Sequence, residues 1–293
     1  MSWQEITFEL QSAEVAEFED ALLSLGALSI TLRDAADQPL LEPAPGDTPV
    51  WDRALLTAMF DGAVEPSEIV RQMKELLKLS SVPPYQVGEL EDREWRRTWM
   101  DHFRPTQFGH RLWICPSGYE RPQQADAVIV DLDPGLAFGT GSHPTTALCM
   151  QWLDAHELRG KVMVDFGCGS GILAIAAARL GAEVVYAIDN DTQALQATRD
   201  NALLNNVDAI VQLYEAEDIG SASVDIVIAN ILLEPLLALK HEFHRMLKPS
   251  GHLVLSGLLA EQREILQDAY RDLFIFDACE SMQEWLRLDA TRR

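Results

Sequence analysis

Within this 293-residue chain, one run limits the fold more than any other: Val162-Met163-Val164-Asp165-Phe166-Gly167-Cys168-Gly169-Ser170-Gly171-Ile172-Leu173. A short apolar, β-branched run that ends in alternating glycines and opens a helical segment is a strand–turn–helix unit. Glycine removes Cβ where backbone must bend sharply and lets a ligand come close. The runs Val184 to Asp189, Asp225 to Ala229 and Leu253 to Ser256 alternate with helical segments at Ile172 to Leu180 and Thr192 to Asn205. Repeated β-then-α order predicts parallel strands joined by crossover helices, a doubly wound α/β sheet. Ligands on such sheets sit outside the carboxyl ends of the strands.

Two details of the glycine turn bear on what it binds. A dinucleotide fingerprint is spaced GxGxxG, whereas here the spacing is GxGxG and Ile172 stands where the third glycine belongs. Asp165 lies at the strand end, where a carboxylate repels a pyrophosphate but suits the cationic, phosphate-free S-adenosyl-L-methionine. Gly167 and Gly169 are therefore expected at a cofactor. Asp189 closes the next strand, where a carboxylate takes both ribose hydroxyls of an adenosine ligand, a geometry that NAD sites share. Asn190 and Asp191 are expected to cap the helix that follows. Val224 to Leu232 is a strand that delivers Asn230 to the same edge, where an amide carbonyl can accept hydrogen bonds from an incoming amine.

Upstream, Leu132 to Thr146 (LDPGLAFGTGSHPTT) is dense in glycine and hydroxyl residues and precedes a helix running to about Leu153. Two readings stand side by side. Thr145 or Thr146 bonds a cofactor carboxylate or the substrate under a flexible lid, or Ser142 and Thr145 simply cap a helix with Pro144 in its first turn. His143 is a candidate general base.

The first ninety residues follow a different pattern. Trp3 to Leu10, Ala27 to Leu32, Ala54 to Phe60 and Tyr85 to Leu90 read as strands, with one helix capped by Ser12 and running to about Leu25 and a second opened by Glu65-Pro66-Ser67-Glu68 and ending near Leu79. That βαββαβ order predicts a ferredoxin-like sandwich. It holds 16 acidic against 5 basic residues, about half the excess behind the net charge of −23. A surface of this sign repels nucleic acid and anionic lipid and attracts a basic partner. Glu91 to Phe103 is read as a linker helix with Trp95, Trp99 and Phe103 on one face, and Phe108 to Ile114 as one strand. Four scattered cysteines without a CxxC pair predict neither metal nor disulfide framework. An acidic opening without a long apolar run predicts a cytoplasmic protein with no membrane partner.

Taken together, LDPGLAFGTGSHPTT (132–146), VDFGCGSGILAIAA (164–177), IDNDTQAL (188–195) and ANILLEPL (229–236) resemble the PrmA family of protein methyltransferases, as do WICPS (113–117) and EDREWRRTWMDHF (91–103). The resemblance implies a Rossmann-like class I methyltransferase sheet preceded by a small ferredoxin-like α+β domain. Residues 1–90 would recognise the substrate, 91–127 would link, and 128–293 would be the methyltransferase domain. It further implies that Thr146, Gly167, Asp189 and Asn230 contact S-adenosyl-L-methionine. The substrate would be basic large-subunit ribosomal protein eleven, trimethylated on lysine side chains and an α-amino group. The alternatives are a methyltransferase for another basic protein or small amine, and an NAD-dependent oxidoreductase.

Overall fold

In the computed structural model, residues 2–36, 51–91, 104–132, 143–215 and 223–293 are described. The chain divides into two compact units, Met1–Thr98 and Trp99–Arg293.

The first unit has the strands β1 (Ser2–Gln11), β2 (Ser29–Asp34), β3 (Arg53–Asp61) and β4 (Tyr85–Glu91), with helices α1 (Ser12–Ser24) and α2 (Pro66–Leu76). Its antiparallel sheet runs β2-β3-β1-β4, a split βαβ connectivity. Alternation places Ile6, Phe8 and Leu10 of β1 and Leu56, Ala58 and Phe60 of β3 on one buried face, against Phe18 and Leu22 of α1 and Met73 of α2. Gln11, rather than Ser12, is the residue that precedes α1, and its backbone N–H donates to Glu14.

In the second unit, the expected single strand from Phe108 to Ile114 is instead a hairpin, β5 (Thr106–Phe108) and β6 (Leu112–Cys115). Gly109 turns it at φ +67°, and the buried carboxylate of Asp154 accepts from the His110 N–H at 2.5 Å. The strand β7 (Val128–Asp131) pairs with β6 in this small sheet and does not join the large one.

The large sheet comprises β8 (Val162–Phe166), β9 (Val184–Ile188), β10 (Val211–Tyr214), β11 (Val224–Asn230), β12 (Leu247–Leu259), β13 (Phe274–Met282) and β14 (Trp285–Arg292). Its order is β10-β9-β8-β11-β12-β14-β13. The first five strands are parallel, while β14 and β13 form an antiparallel hairpin on β12. Numbered from β8, the order reads 3-2-1-4-5-7-6, whereas the dinucleotide fold runs 3-2-1-4-5-6. Alternation along the central strands feeds two cores. Met163, Ile226 and Ile228 face one, with α4 (Ile172–Arg179) and α3 (Pro144–Ala155); Val164, Val227 and Ala229 face the other, with α6 (Leu233–Met246). The alanines of α4 let that helix lie close to the sheet. Asn205, after α5 (Thr192–Leu204), ties the small sheet down by bonding both the N–H and the carbonyl of Asp131. A last helix, α7 (Arg263–Tyr270), packs on the second face through Leu266 and Tyr270.

Candidate active site

Strand order reverses between β8 and β11, so the crevice that a doubly wound sheet offers a ligand opens where Phe166 and Asn230 end their strands. The loop that leaves β8 has Gly167, Gly169 and Gly171 at φ +76°, +55° and +78°, the region glycine tolerates. A Cβ on Gly167 would collide with Ile231 Cγ2, and one on Gly171 would come within 2.6 Å of Thr198 Cγ2. Helix α5 holds the loop from the side: Thr198 Oγ1 donates to the Gly169 carbonyl at 3.0 Å and Asn201 Nδ2 to the Ser170 carbonyl at 2.8 Å.

Four of the loop's N–H groups are engaged within the protein. Gly167 and Cys168 both donate to the Ile188 carbonyl, at 2.8 and 3.0 Å, and Gly171 donates to the Cys168 carbonyl at 2.8 Å. Gly169 donates to Asp189 Oδ2 at 2.9 Å, and Ala174, in the first turn of α4, donates to Asp165 Oδ2 at 2.9 Å. A phosphate cradle needs such donors facing outward, with an uncompensated helix dipole behind them. Here the N–H groups of Gly167, Cys168, Gly169 and Gly171 are engaged within the protein, and a carboxylate already sits at the helix start. The engaged glycine-loop donors and the Asp165 carboxylate disfavour a pyrophosphate here and weigh against the dinucleotide alternative.

Asp165 is 1 % exposed, and its Oδ1 has no partner among the described residues. Burial pushes its carboxyl up to about 7; the Ala174 N–H opposes the shift and the charge of Asp189 adds to it. It therefore lies beneath the loop rather than lining the crevice, a more interior position than its place at the strand end implied. Asp189 is half-buried at the end of β9. Its two oxygens accept from Gly169 N and, at 3.0 Å, from Asp191 N. A carboxylate offers about four lone pairs, so two bonds leave capacity for a diol. Asp191 caps α5 by accepting from Gln193 N at 2.8 Å.

Across the crevice, the chain after Asn230 is wedged between two glycines. Ile231 touches Gly167 on one side, and on the other its backbone lies so close to Gly257 (φ +83°) that a Cβ there would come within 2.7 Å of the Ile231 carbonyl carbon. Gly257 was not among the residues the sequence singled out. Its signal was a glycine inside an apolar strand, which marks a bulge or a close approach, and the β12–β14 register does shift between Leu255 and Leu258. Asn230 Nδ2 donates to Thr146 Oγ1 at 3.3 Å, while Asn230 Oδ1 is buried with no partner among the described residues.

Thr146 lies in the first turn of α3 and is 3 % exposed. The cap of that helix is His143 rather than Thr145: its Nδ1 accepts from Thr145 N at 3.4 Å and lies 2.7 Å from Thr145 Oγ1, while Ser142 lies outside the described residues. Burial holds the His143 imidazole below its ordinary pKa against the opposing charge of Glu284. Its ring meets Trp285 edge-on, with centroids 4.7 Å apart. Cys168 is a buried thiol beside Thr198, held above its ordinary pKa by burial. Gly167, Gly169, Asp189, Thr146 and Asn230 thus gather around one switch point. Residues 133–142, with Phe138, the stretch 92–103 with its aromatic stripe, and most of the acidic segment from Glu215 to Asp218 lie outside the described residues.

An adenosine with a cationic, phosphate-free tail fits this donor set. Asp165 sits where a phosphate would be repelled, Asp189 has lone pairs for ribose hydroxyls, and the Asn230 oxygen has no partner among the described residues. The family model described as ribosomal protein L11 methyltransferase (PrmA) matches residues 2–293. A ribosomal protein L11 methyltransferase of Azotobacter vinelandii is 46% identical over 294 residues, covering 100% of both chains. One of Pseudomonas paraeruginosa is 45% identical, covering 100% of this chain and 99% of its own. The crystal structure of a ribosomal protein L11 methylase from Lactobacillus delbrueckii subsp. bulgaricus superposes with a TM-score of 0.60 at 32% identity, over 65% of this chain and all of that one. With its Rossmann-like methyltransferase sheet and these relatives, the chain belongs to the ribosomal protein L11 methyltransferase (PrmA) family.

Proposed function

We propose that this protein transfers methyl groups from S-adenosyl-L-methionine to amines of ribosomal protein L11, acting on lysine side chains and an α-amino group through to the trimethylated state. The observation that carries the reading is the buried oxygen of Asn230, without a partner among the described residues, beside a glycine loop whose Gly167, Cys168 and Gly171 N–H groups are engaged. When bound, the cofactor supplies a methyl group already activated by a sulfonium, so alignment is the protein's main contribution. The glycine loop admits the nucleoside against bare backbone, and Asp189 holds its ribose. Asn230 Oδ1 accepts an N–H of the incoming amine, which turns the nitrogen lone pair toward the methyl carbon. A lysine with an ordinary pKa of about 10.4 must lose a proton before each attack, and withdrawal from water lowers that pKa. His143 is occupied as a helix cap, so no general base is assigned.

Residues 1–90 are proposed to recruit the substrate, with 91–127 as the connection and 128–293 as the transferase. The acidic balance of the first segment suits a basic ribosomal protein and disfavours direct nucleic-acid binding. A cytoplasmic location accords with a ribosomal substrate. Among the described residues no helix is long and apolar enough to cross a membrane.

Incubation of the purified protein with methyl-labelled cofactor and a ribosomal protein extract tests the reading. Label is expected in L11, and Asp189→Ala is expected to lose it. Label confined to another protein, or to small amines, would overturn the substrate; no cofactor-dependent label at all would overturn the activity. Raising salt should increase the KM for L11 and leave cofactor affinity unchanged, because screening acts on the long-range attraction.

A further inference from the structure

An edge strand offers its outer backbone groups to any chain that comes beside it, and native proteins usually blunt such an edge with lysine, proline or a bulge. β4 is an edge of this kind, with β1 on one side and no strand on the other among the described residues. Its register with β1 is unbroken, it contains no proline, and β1 and β4 together hold no lysine or arginine. The Glu9 N–H donates to the Pro84 carbonyl at 3.0 Å, which sets the alternation of the antiparallel ladder. Thr7 with Gln86 and Glu5 with Gly88 are then the bonded pairs, and the N–H and carbonyl groups of Tyr85, Val87 and Glu89 point away from β1. Tyr85 and Val87 are 44 % and 51 % exposed, although they pair with the buried Phe8 and Ile6 on the core face. Gln86, Gly88 and Glu89 are exposed as well.

We propose that β4 is the docking strand for the substrate: an extended, basic segment of L11 adds to its outer edge as a further strand of the sheet. The inference rests on the methyl-transfer reading and deepens it, assigning the recruiting role of residues 1–90 to one edge. Main-chain bonds at Tyr85, Val87 and Glu89 hold the segment, while its alternate side chains meet different surroundings on the two faces. On one face, Tyr85 and Val87 form an apolar strip joined to the core through the Phe8 ring, whose centroid lies 5.8 Å from that of Tyr85. The aliphatic stem of a lysine covers such a strip while its ammonium stays near a carboxylate such as that of Glu89. On the other face, Glu5 lies over Gly88, where a Cβ would come 3.8 Å from Glu5 Oε2. Glutamates on both faces favour lysine and arginine on the incoming strand. The same charges would set glutamate against glutamate if a second copy of β4 came alongside, which disfavours self-pairing.

The test uses the full chain, purified L11 and S-adenosyl-L-methionine. Proline is tolerated on an edge strand where the lost N–H faced solvent, so Val87→Pro removes one outward donor and leaves the ladder with β1 in place. It is expected to raise the KM for L11 about tenfold, the worth of one hydrogen bond, with kcat and cofactor affinity unchanged. Val87→Thr keeps both the donor and the β-branched shape, and should raise that KM by no more than about twofold. Glu89→Lys should raise it severalfold at low salt and less as salt increases. An unmoved KM in Val87→Pro, an equal rise in Val87→Thr, or an unmoved KM in Glu89→Lys would each overturn the proposal. Should the proline variant not fold, hydrogen exchange in the unmodified protein reads the same edge. The amides of Tyr85, Val87 and Glu89 should exchange fast in the protein alone and at least about tenfold more slowly with saturating L11. L11 that takes no label from the unmodified protein would sink the methyl-transfer reading, and this proposal with it. Labelled L11 beside unmoved amides would sink the strand addition alone.

Discussion

Asp225 and Asp165 stand on adjacent strands, near opposite edges of one sheet, and meet opposite treatment. At the amino edge, Asp225 accepts from Val162 N and from Lys248 Nζ, each at 2.9 Å. Burial works to raise its carboxyl, but those two donors outweigh it and hold the pKa below the ordinary value. Near the carboxyl edge, Asp165 is more deeply buried, has one bond for two oxygens, and is pushed up to about 7. At the amino edge, both oxygens of Asp225 are paired. Near the carboxyl edge, polar atoms lack partners among the described residues at Asp165, which the loop covers, and at Asn230, where a ligand can complete the bonding.

The sharpest way to break that contrast is to block the incomplete edge. Gly167→Arg places a large cation on a loop at φ +76° and against Ile231. Overpacking at such a position is expected to weaken cofactor binding by about a hundredfold or more, read by calorimetric titration with S-adenosyl-L-methionine. An unchanged affinity would mean that the crevice is elsewhere. At the complete edge the currency changes from binding to stability. Asp225→Ala strands Val162 N and Lys248, and is expected to cost about 2 kcal/mol in urea unfolding while cofactor affinity stays as it was. If affinity falls along with stability, the division between the two edges fails.

Much of this site is legible in the amino-acid sequence itself. The strand ending at Phe166, its glycine turn, Asp189 and Asn230 are local patterns, because period-two burial and left-handed glycine each leave a mark within a few residues. What stayed hidden depends on contacts across long stretches of chain. Nothing near Asn230 reveals Thr146, 84 residues earlier, and no local rule turns the loop's N–H groups toward Ile188. The strand read from Phe108 to Ile114 was broken by Gly109, whose turn is fastened by Asp154, 45 residues away. The final hairpin, β13 with β14, lacked the strict β-then-α rhythm that had guided the reading of the sheet. His143 looked like a base because histidine titrates near neutrality; its work as a cap follows from where Pro144 and Thr145 place the helix.

Acid and base separate the two aspartates further. Asp165 has a folded pKa above its ordinary value, so the native state binds the extra proton. Its contribution is present at low pH and is lost as pH climbs toward about 7, with a slope of at most about 1.4 kcal/mol per pH unit. Asp225, with a lowered pKa, contributes above the ordinary carboxyl range and loses that contribution as pH falls through its folded value. Asp165→Asn keeps an acceptor for Ala174 N and cannot ionise. Its unfolding free energy, measured between pH 5 and pH 8 in urea, should therefore gain on that of the unmodified protein as pH rises. Parallel curves would show that Asp165 is already charged, and the contrast with Asp225 would disappear.

The smallest expected effect falls at His143, where cap and base predict different things from the same side chain. As a cap, Nδ1 must accept from Thr145 N, so the imidazole works in its neutral form, in keeping with a pKa lowered by burial. Protonation removes the acceptor, so the cap's contribution holds above the ordinary histidine pKa and fades as pH falls through the lowered one. His143→Ala should then cost about 1 kcal/mol of stability and lower kcat only through a small displacement of Thr146. Asparagine is the more telling replacement, since it caps helices well and cannot act as a base near neutrality. His143→Asn is expected to retain most of the turnover with L11 and to leave the pH–rate profile in shape. A deep loss of kcat in both variants, with the limb near neutrality gone from the profile, would make His143 the proton acceptor and would place proton removal, rather than the direction of the Asn230 amide, at the centre of the reaction.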